Sequence, residues 1–195
     1  MNLNQQEQLQ SIKKLLMQSQ HQAVIVETTQ LLEKAGQGNS TLSADVQKEL
    51  LYLKAVACRL LQNFTAATEV LNHLLQLFPD YARAYQELGY CYLNTNKQKA
   101  AHSFYQATRF NPALLSAWLQ LEKVYKTDKQ HQALALCQQQ IAFLQSLPKP
   151  LLGATDLMHE GQLHKAEQIC RRFLIENKHH PEAMMLLAEI GVQLK

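Results

Sequence analysis

The stretch His159-Glu160-Gly161-Gln162-Leu163-His164 comes nearest to a metal site in this chain. Two imidazoles on one helix face with a glutamate between them hold zinc and activate water in metalloproteases. That chemistry needs the histidines four residues apart on an unbroken helix. Here a fifth residue and a glycine intervene, so the stretch reads as a turn between two helices. His179-His180, just before Pro181, reads as solvated loop. Cys58, Cys91, Cys137 and Cys170 never form a C-x-x-C pair, and each lies inside an apolar helical run. They read as reduced core thiols, which suits a cytoplasm. Serine and cysteine nucleophiles lack a recurring base and orienting group. Gly36-Gln37-Gly38 has neither the preceding strand nor the lysine of a phosphate loop. No catalytic residue, metal or cofactor is expected. The chemistry that remains is recognition: Arg59, Arg83, Lys123 and Lys126 can hold carboxylates, and Tyr52 and Tyr90 can stack planar groups.

Whether those side chains share a surface depends on the elements that carry them. Of the 195 residues, 47% are apolar and 18% charged, enough to bury a substantial core. Glycine and proline number six and five, and Leu, Ala, Gln, Lys and Glu dominate, which predicts an all-α fold. The formal charge of +3 is small and its cations are dispersed, so nucleic acid is not the expected partner. The opening residues, Met1 to Glu7, are polar and lack the pattern of a secretion signal, and no run is apolar enough to span a bilayer. A soluble protein that is not exported by that route is expected.

Pro79, Pro112, Pro148 and Pro181 recur at intervals of 33, 36 and 33 residues, each between two helical patterns. Aligned on them, one unit reads Tyr85, Leu88-Gly89, Tyr92, Ala100, Phe104, Ala107, Pro112. The next has Trp118, Leu121, Tyr125 and Ala133; the one before has Leu51, Ala55, Cys58, Ala67, Leu71 and Leu74; the fourth has Ala154, Leu157, Gly161, Ala166, Cys170 and Phe173. Gly89 and Ala55 in the first helices, with Ala67, Ala100, Ala133 and Ala166 in the second, fall where two helices cross. A larger residue there would overpack the contact by about 1–3 kcal/mol. The aromatics supply apolar area that one hairpin cannot bury alone.

This pattern resembles the tetratricopeptide repeat: an aromatic, Leu-Gly and Tyr in helix A, then Ala, an aromatic, Ala and Pro in helix B. The resemblance covers Lys48 to Lys195, most specifically from Tyr85 to Pro112. It implies a right-handed superhelical solenoid of antiparallel hairpins whose A helices line a concave groove. The expected organisation is a degenerate hairpin or cap over 1–35, a loop over 36–45, repeats over 46–81, 82–114, 115–147 and 148–181, and the first helix of a truncated repeat over 182–195. Ser43 or Asp45 caps the helix after the loop. The last helix has no successor to cover its apolar face, so the chain is a fragment, or a partner or second copy covers that end. A monomer or a weak homodimer through it follows.

In this register the groove presents Tyr52 and Arg59, then Arg83, Gln86, Tyr90 and Asn94, then Leu119, Lys123 and Lys126. Either these are ordinary solvated helix faces, or they bind a protein or peptide segment bearing acidic and apolar residues. A subclass of the family clamps chaperone tails with Lys and Asn at early helix-A positions, but Tyr52 and Val56 stand there, which argues against that ligand. A second resemblance, carried by Leu151 to Thr155, His164 to Glu167 and Pro181 to Ala183, is to the N-terminal repeat region of bacterial tetratricopeptide-repeat sulfotransferases. It implies that the chain recruits substrate for an enzyme domain beyond residue 195, since the loop that binds the activated sulfate donor is not in this sequence. A cytoplasmic interaction scaffold and the recognition region of a larger sulfotransferase are thus the two expectations.

Overall fold

The computed structural model describes residues 3–37 and 41–194. Eleven α-helices, and no strand, occur among the described residues: α1 (Leu3–Met17), α2 (His21–Gly36), α3 (Ala44–Leu60), α4 (Phe64–Leu77), α5 (Ala82–Tyr92), α6 (Lys97–Phe110), α7 (Leu115–Thr127), α8 (His131–Ser146), α9 (Lys149–His159), α10 (Leu163–Glu176) and α11 (Pro181–Gln193). The chain divides into two compact units, Met1–Ala100 and Ala101–Lys195.

Four hairpins turn by one device. Ser19, Gln62, Lys129 and Gly161 adopt left-handed backbone with φ of 59°, 61°, 55° and 75°. The residue after each sends its N–H back across the turn: Gln20 to the Leu15 carbonyl at 3.0 Å, Asn63 to Cys58 at 2.9 Å, Gln130 to Tyr125 at 3.0 Å, Gln162 to Leu157 at 2.9 Å. A left-handed residue closed in this way satisfies the carbonyls that a helix leaves orphaned at its C-terminus. Gln20, Asn63, Gln130 and Gln162 are also the N-caps of the following helices, so the last bond of one helix and the first turn of the next share a residue. Of the four, Asn63 adds a side-chain cap, accepting the Ala66 N–H at 3.2 Å. The turn between α5 and α6 uses an asparagine instead, with Asn96 Oδ1 accepting the Lys99 N–H at 2.9 Å. At the start of α3, Ser43 is the cap, accepting from the Val46 N–H at 3.4 Å, and Asp45 lies in the first turn.

In unit 1, α3 is a wall shared by two cores. Leu50, Leu53 and Ala57 face a cluster with Ile12 of α1 and Val24 of α2. Leu51, Ala55 and Cys58 face a second cluster with Ala67, Leu71 and Leu74 of α4 and Ala84, Leu88 and Cys91 of α5. The two sets are stripes of i, i+3, i+4 and i+7 spacing, offset around the helix. In unit 2, α9, α10 and α11 repeat the second arrangement: Ala154, Ala166 and Ala183 have the spacing of Ala55, Ala67 and Ala84, and all six alanines are 0% exposed. Nothing larger than a methyl fits where these helices cross. Ala133 of α8 departs from the pattern and is only half-buried.

The prolines do more than end helices. Tyr85 Oη donates to the Pro79 carbonyl at 3.1 Å, and Trp118 Nε1 donates to the Pro112 carbonyl at 2.9 Å, each six residues back. The aromatic that opens an A helix thereby ties down the loop preceding it. Unit 2 has one further tie: fully buried Asn111 donates to Asp156 Oδ1 of α9 at 2.7 Å and accepts the Ala113 N–H at 3.0 Å.

The shared turn geometry sets a test. A β-carbon at Gly161 would meet nothing within 4 Å, so Gly161→Ala costs only the left-handed conformation, about 1 kcal/mol. Lys129→Gly removes the same strain and gains a similar amount, raising the melting midpoint by about 2–4 °C. Thermal melts in which both variants shift the same way would show that the turns are not strained as described.

Candidate functional site

Within unit 1 the first helices of successive hairpins stand side by side, α1 against α3 and α3 against α5. Polar side chains join them along one edge: Lys13 of α1 pairs with Glu49 of α3 at 2.7 Å, and Arg59 of α3 pairs with Glu87 of α5. The second pair is the centre of the site. Arg59 Nε donates to Glu87 Oε2, and its guanidinium lies 5.2 Å from the centroid of the Tyr90 ring, one helical turn beyond Glu87. A planar cation over an aromatic face gains from the ring quadrupole, more so when partly desolvated.

Glu87 is only 5% exposed, on a helix whose Ala84, Leu88 and Cys91 belong to the core. Burial pushes its carboxyl above the usual glutamate range, while the charges of Arg59 and Arg83 and the hydrogen bond from Arg59 pull the other way. The next turn feels the same environment: burial, then the Glu87 charge, push the Cys91 thiol up to about 11. Such a thiol is protonated and unreactive near neutrality. Cys58, Cys137 and Cys170 are likewise buried and unpaired.

Of the residues expected in the groove, Arg59 is bonded to Glu87 and lies over Tyr90, and Arg83 acts on the Glu87 carboxyl through its charge. Gln86 is half-buried, and its carboxamide oxygen is buried with no hydrogen-bond partner among the described residues. Tyr52 is taken up by packing, edge-on to Tyr81 with ring centroids 5.7 Å apart. Lys48 lies 5.5 Å from the same Tyr81 ring. Asn94 falls beyond α5, which ends at Tyr92. In unit 2, Leu119, Lys123 and Lys126 lie on one stripe of α7, the leucine half-buried and both lysines exposed. A separate recess of about 800 Å³ opens between α2, α3 and α4, and none of the expected groove residues lines it.

Glu87 escaped the sequence reading because a glutamate between Gln86 and Leu88 reads by type as solvated. One signal was present: it is one turn from both Arg83 and Cys91, so its stripe faces the hairpin's apolar side as well as the edge. The residues of the zinc-like stretch separate. His159 ends α9, Gly161 makes the left-handed turn, and His164 belongs to α10. Among the described residues no group of three or more His, Cys, Asp or Glu is placed to hold a metal, and no helix is long and apolar enough to cross a membrane.

A buried carboxylate with one directly bonded cation predicts a specific pattern of loss. Arg59→Ala costs about 3–5 kcal/mol at neutral pH, because it leaves a buried charge without its hydrogen-bonded partner and with only the charge of Arg83 to offset it. Most of that loss returns in Arg59→Ala/Glu87→Gln. The sign with pH follows from the raised carboxyl: the folded state holds its proton more tightly than the unfolded one. Glu87 therefore opposes folding progressively as pH rises from the ordinary glutamate range through its folded value, and not below that range. The Arg59→Ala defect accordingly shrinks in acid. Urea unfolding of the four proteins of this double-mutant cycle at neutral and acidic pH measures both, and additive single losses at both pH values would contradict the pairing.

No curated protein is significantly similar to the chain in sequence. Residues 82–112 match the family model of the tetratricopeptide repeat, the segment that contains Arg83, Glu87 and Tyr90. Among solved structures the chain is similar to a thermophilic tetratricopeptide-repeat protein of Thermus thermophilus, with 19% identity and a TM-score of 0.56 over 96% of this chain and 99% of that one. One tetratricopeptide repeat is matched directly at 82–112, and the chain shares the helical-repeat fold of such a protein.

Proposed function

We propose that the chain is a protein-interaction scaffold that holds an acidic, partly apolar segment of another protein on the A-helix face of unit 1. The observation that supports this reading most is the arrangement around Glu87. Two arginines act on one buried carboxylate and the first of them lies over a tyrosine ring, so the cluster carries a net positive charge beside an aromatic face. Glu87 holds Arg59 in place in advance, which lowers the entropy lost when a ligand carboxylate arrives. Arg83 is the residue assigned to meet that carboxylate through charge-assisted bonds, and Gln86 and Tyr90 flank it. In unit 2, Lys123 and Lys126 beside Leu119 offer the same combination of cation and apolar surface on α7.

The hairpins over 1–35, 46–81, 115–147 and 148–181 are, on this reading, divergent copies of the repeat matched at 82–112. Their buried, unpaired thiols suit a reducing compartment such as a bacterial cytoplasm.

The test is a capture experiment from source lysate, comparing the wild-type chain with Arg83→Glu/Lys123→Glu/Lys126→Glu. Arg59 stays intact, because it bonds Glu87 directly, and the melting midpoint checks that losing the weaker charge effect of Arg83 on Glu87 leaves the fold in place. With far-UV circular dichroism and the melting midpoint unchanged, the variant is expected to lose one or more captured proteins specifically. Fluorescence anisotropy with acidic segments of those proteins should give about a tenfold loss of affinity or more, larger at low salt than at high. The same catch from both chains would overturn the assignment of these residues.

A further inference from the structure

We propose that unit 2 carries a second docking recess, one that takes a basic segment of a partner protein anchored by a large apolar side chain. A cavity of about 400 Å³ opens between α8, α9 and α11. Its floor is buried Leu144, Leu151 and Leu186, and its walls are Phe143 and Met185, left 50% and 72% exposed. A recess of that volume falls within the range of about 300–1,000 Å³ that ligand sites span. An exposed phenylalanine and an exposed methionine beside a fully buried leucine floor form the kind of pocket that receives an anchor residue, and methionine adapts its shape to what enters.

Charge identifies the occupant. The lining contains two ionisable residues, Glu182 and Glu189, and both are acidic. They stand two turns apart on α11, with Met185 and Leu186 between them on the same side of the helix. An anchor seated at Met185 therefore has a carboxylate about 5 Å along the axis on either side. Glu182 Oε2 lies 3.2 Å from Nδ1 of His180, which counts as an ion pair only when that imidazole is protonated. Glu189 acts electrostatically on His159, as does Asp156. Lysine or arginine on both sides of an apolar residue complements this rim, whereas an acidic segment is repelled by it. The preference is opposite in sign to that proposed for the A-helix face of unit 1, and it rests on different residues.

Two short fluorescein-labelled peptides that share a Leu-Trp-Leu core test the assignment, one flanked by lysines and its twin by glutamates. Anisotropy titrations of the full chain should show the lysine peptide binding about fivefold to tenfold more tightly than its twin. Glu182→Lys/Glu189→Lys should invert that order, and Met185→Ala should weaken both peptides. Arg83→Glu should leave the lysine peptide's affinity unchanged, which separates this site from the unit 1 face. All the substituted side chains are half-buried or exposed, and circular dichroism checks that each variant folds. Equal binding of the two peptides, no binding of either, or an order unaffected by the double reversal would overturn the proposal. So would sedimentation velocity showing that Met185→Ala abolishes a self-association of the chain, because the occupant would then be a second copy.

Discussion

A helix hairpin in which one residue both closes the first helix and caps the second has almost no slack, and the rest of this structure depends on that constraint. Ser19, Gln62, Lys129 and Gly161 each turn the chain through one left-handed residue, and the next residue's N–H bonds back across the turn. With the turn so short, the helices it joins are antiparallel neighbours from their first residues, and their side chains must interlock at a fixed height. The alanines at the crossings are the result. They lie at the same distance from their turns in α4 and α10, and nothing beyond a β-carbon is accommodated. Three non-glycine residues hold left-handed backbone to keep this geometry, so packing gained across each hairpin exceeds the strain of about 1–2 kcal/mol per turn.

The same economy shapes the charged edge of unit 1. A helix packed on two sides, as α3 is, has one stripe left for anything else. On that stripe Glu49 pairs with Lys13, Tyr52 packs on Tyr81, Val56 is buried, and Arg59 pairs with Glu87. Neighbouring A helices have thus already engaged most of what α3 presents. On α5, Tyr90 lies against the guanidinium that Glu87 holds, and Arg83 acts on the same carboxylate through its charge. A buried glutamate is an expensive way to stabilise a fold. Here its effect is to fix the position of the Arg59 guanidinium between two helices.

The repeat was legible in the sequence because its determinants are local: prolines at a steady interval, small residues at crossings, aromatics at fixed offsets. The left-handed turns were less so. Gly161 announced itself, but Ser19, Gln62 and Lys129 have no intrinsic preference for that conformation, and the helices on either side impose it. Counting helix faces put Arg59, Arg83 and Tyr90 on one side of neighbouring helices, and in the structure Arg59 does reach Tyr90. Such counting does not foresee that Tyr81, from the loop after the next helix, packs on Tyr52, or that α5 ends at Tyr92, before Asn94. Ala133 shows the opposite case, since a signature residue is only half-buried there. The stretch from Leu151 to Ala183 that carries the resemblance to sulfotransferase repeat regions forms α9, α10 and the start of α11. Ala154, Ala166 and Ala183 within it are crossing residues, which any close-packed hairpin of this kind requires.

Because packing consumes the repeat-defining positions, specificity can reside only in the residues between them, and those vary freely from one hairpin to the next. The two units show how far that freedom extends. The α5 edge in unit 1 is cationic and aromatic around an internal counter-ion, while the α11 edge in unit 2 is acidic around an apolar recess. Neither character follows from the fold, since α5 and α11 each close a three-helix core with its alanines in equivalent register. A scaffold of this kind can change its ligand at one hairpin without disturbing the core beside it. The exception is a residue such as Glu87, which is buried beside the core yet paired with a side chain of the edge, so a change there is felt by both.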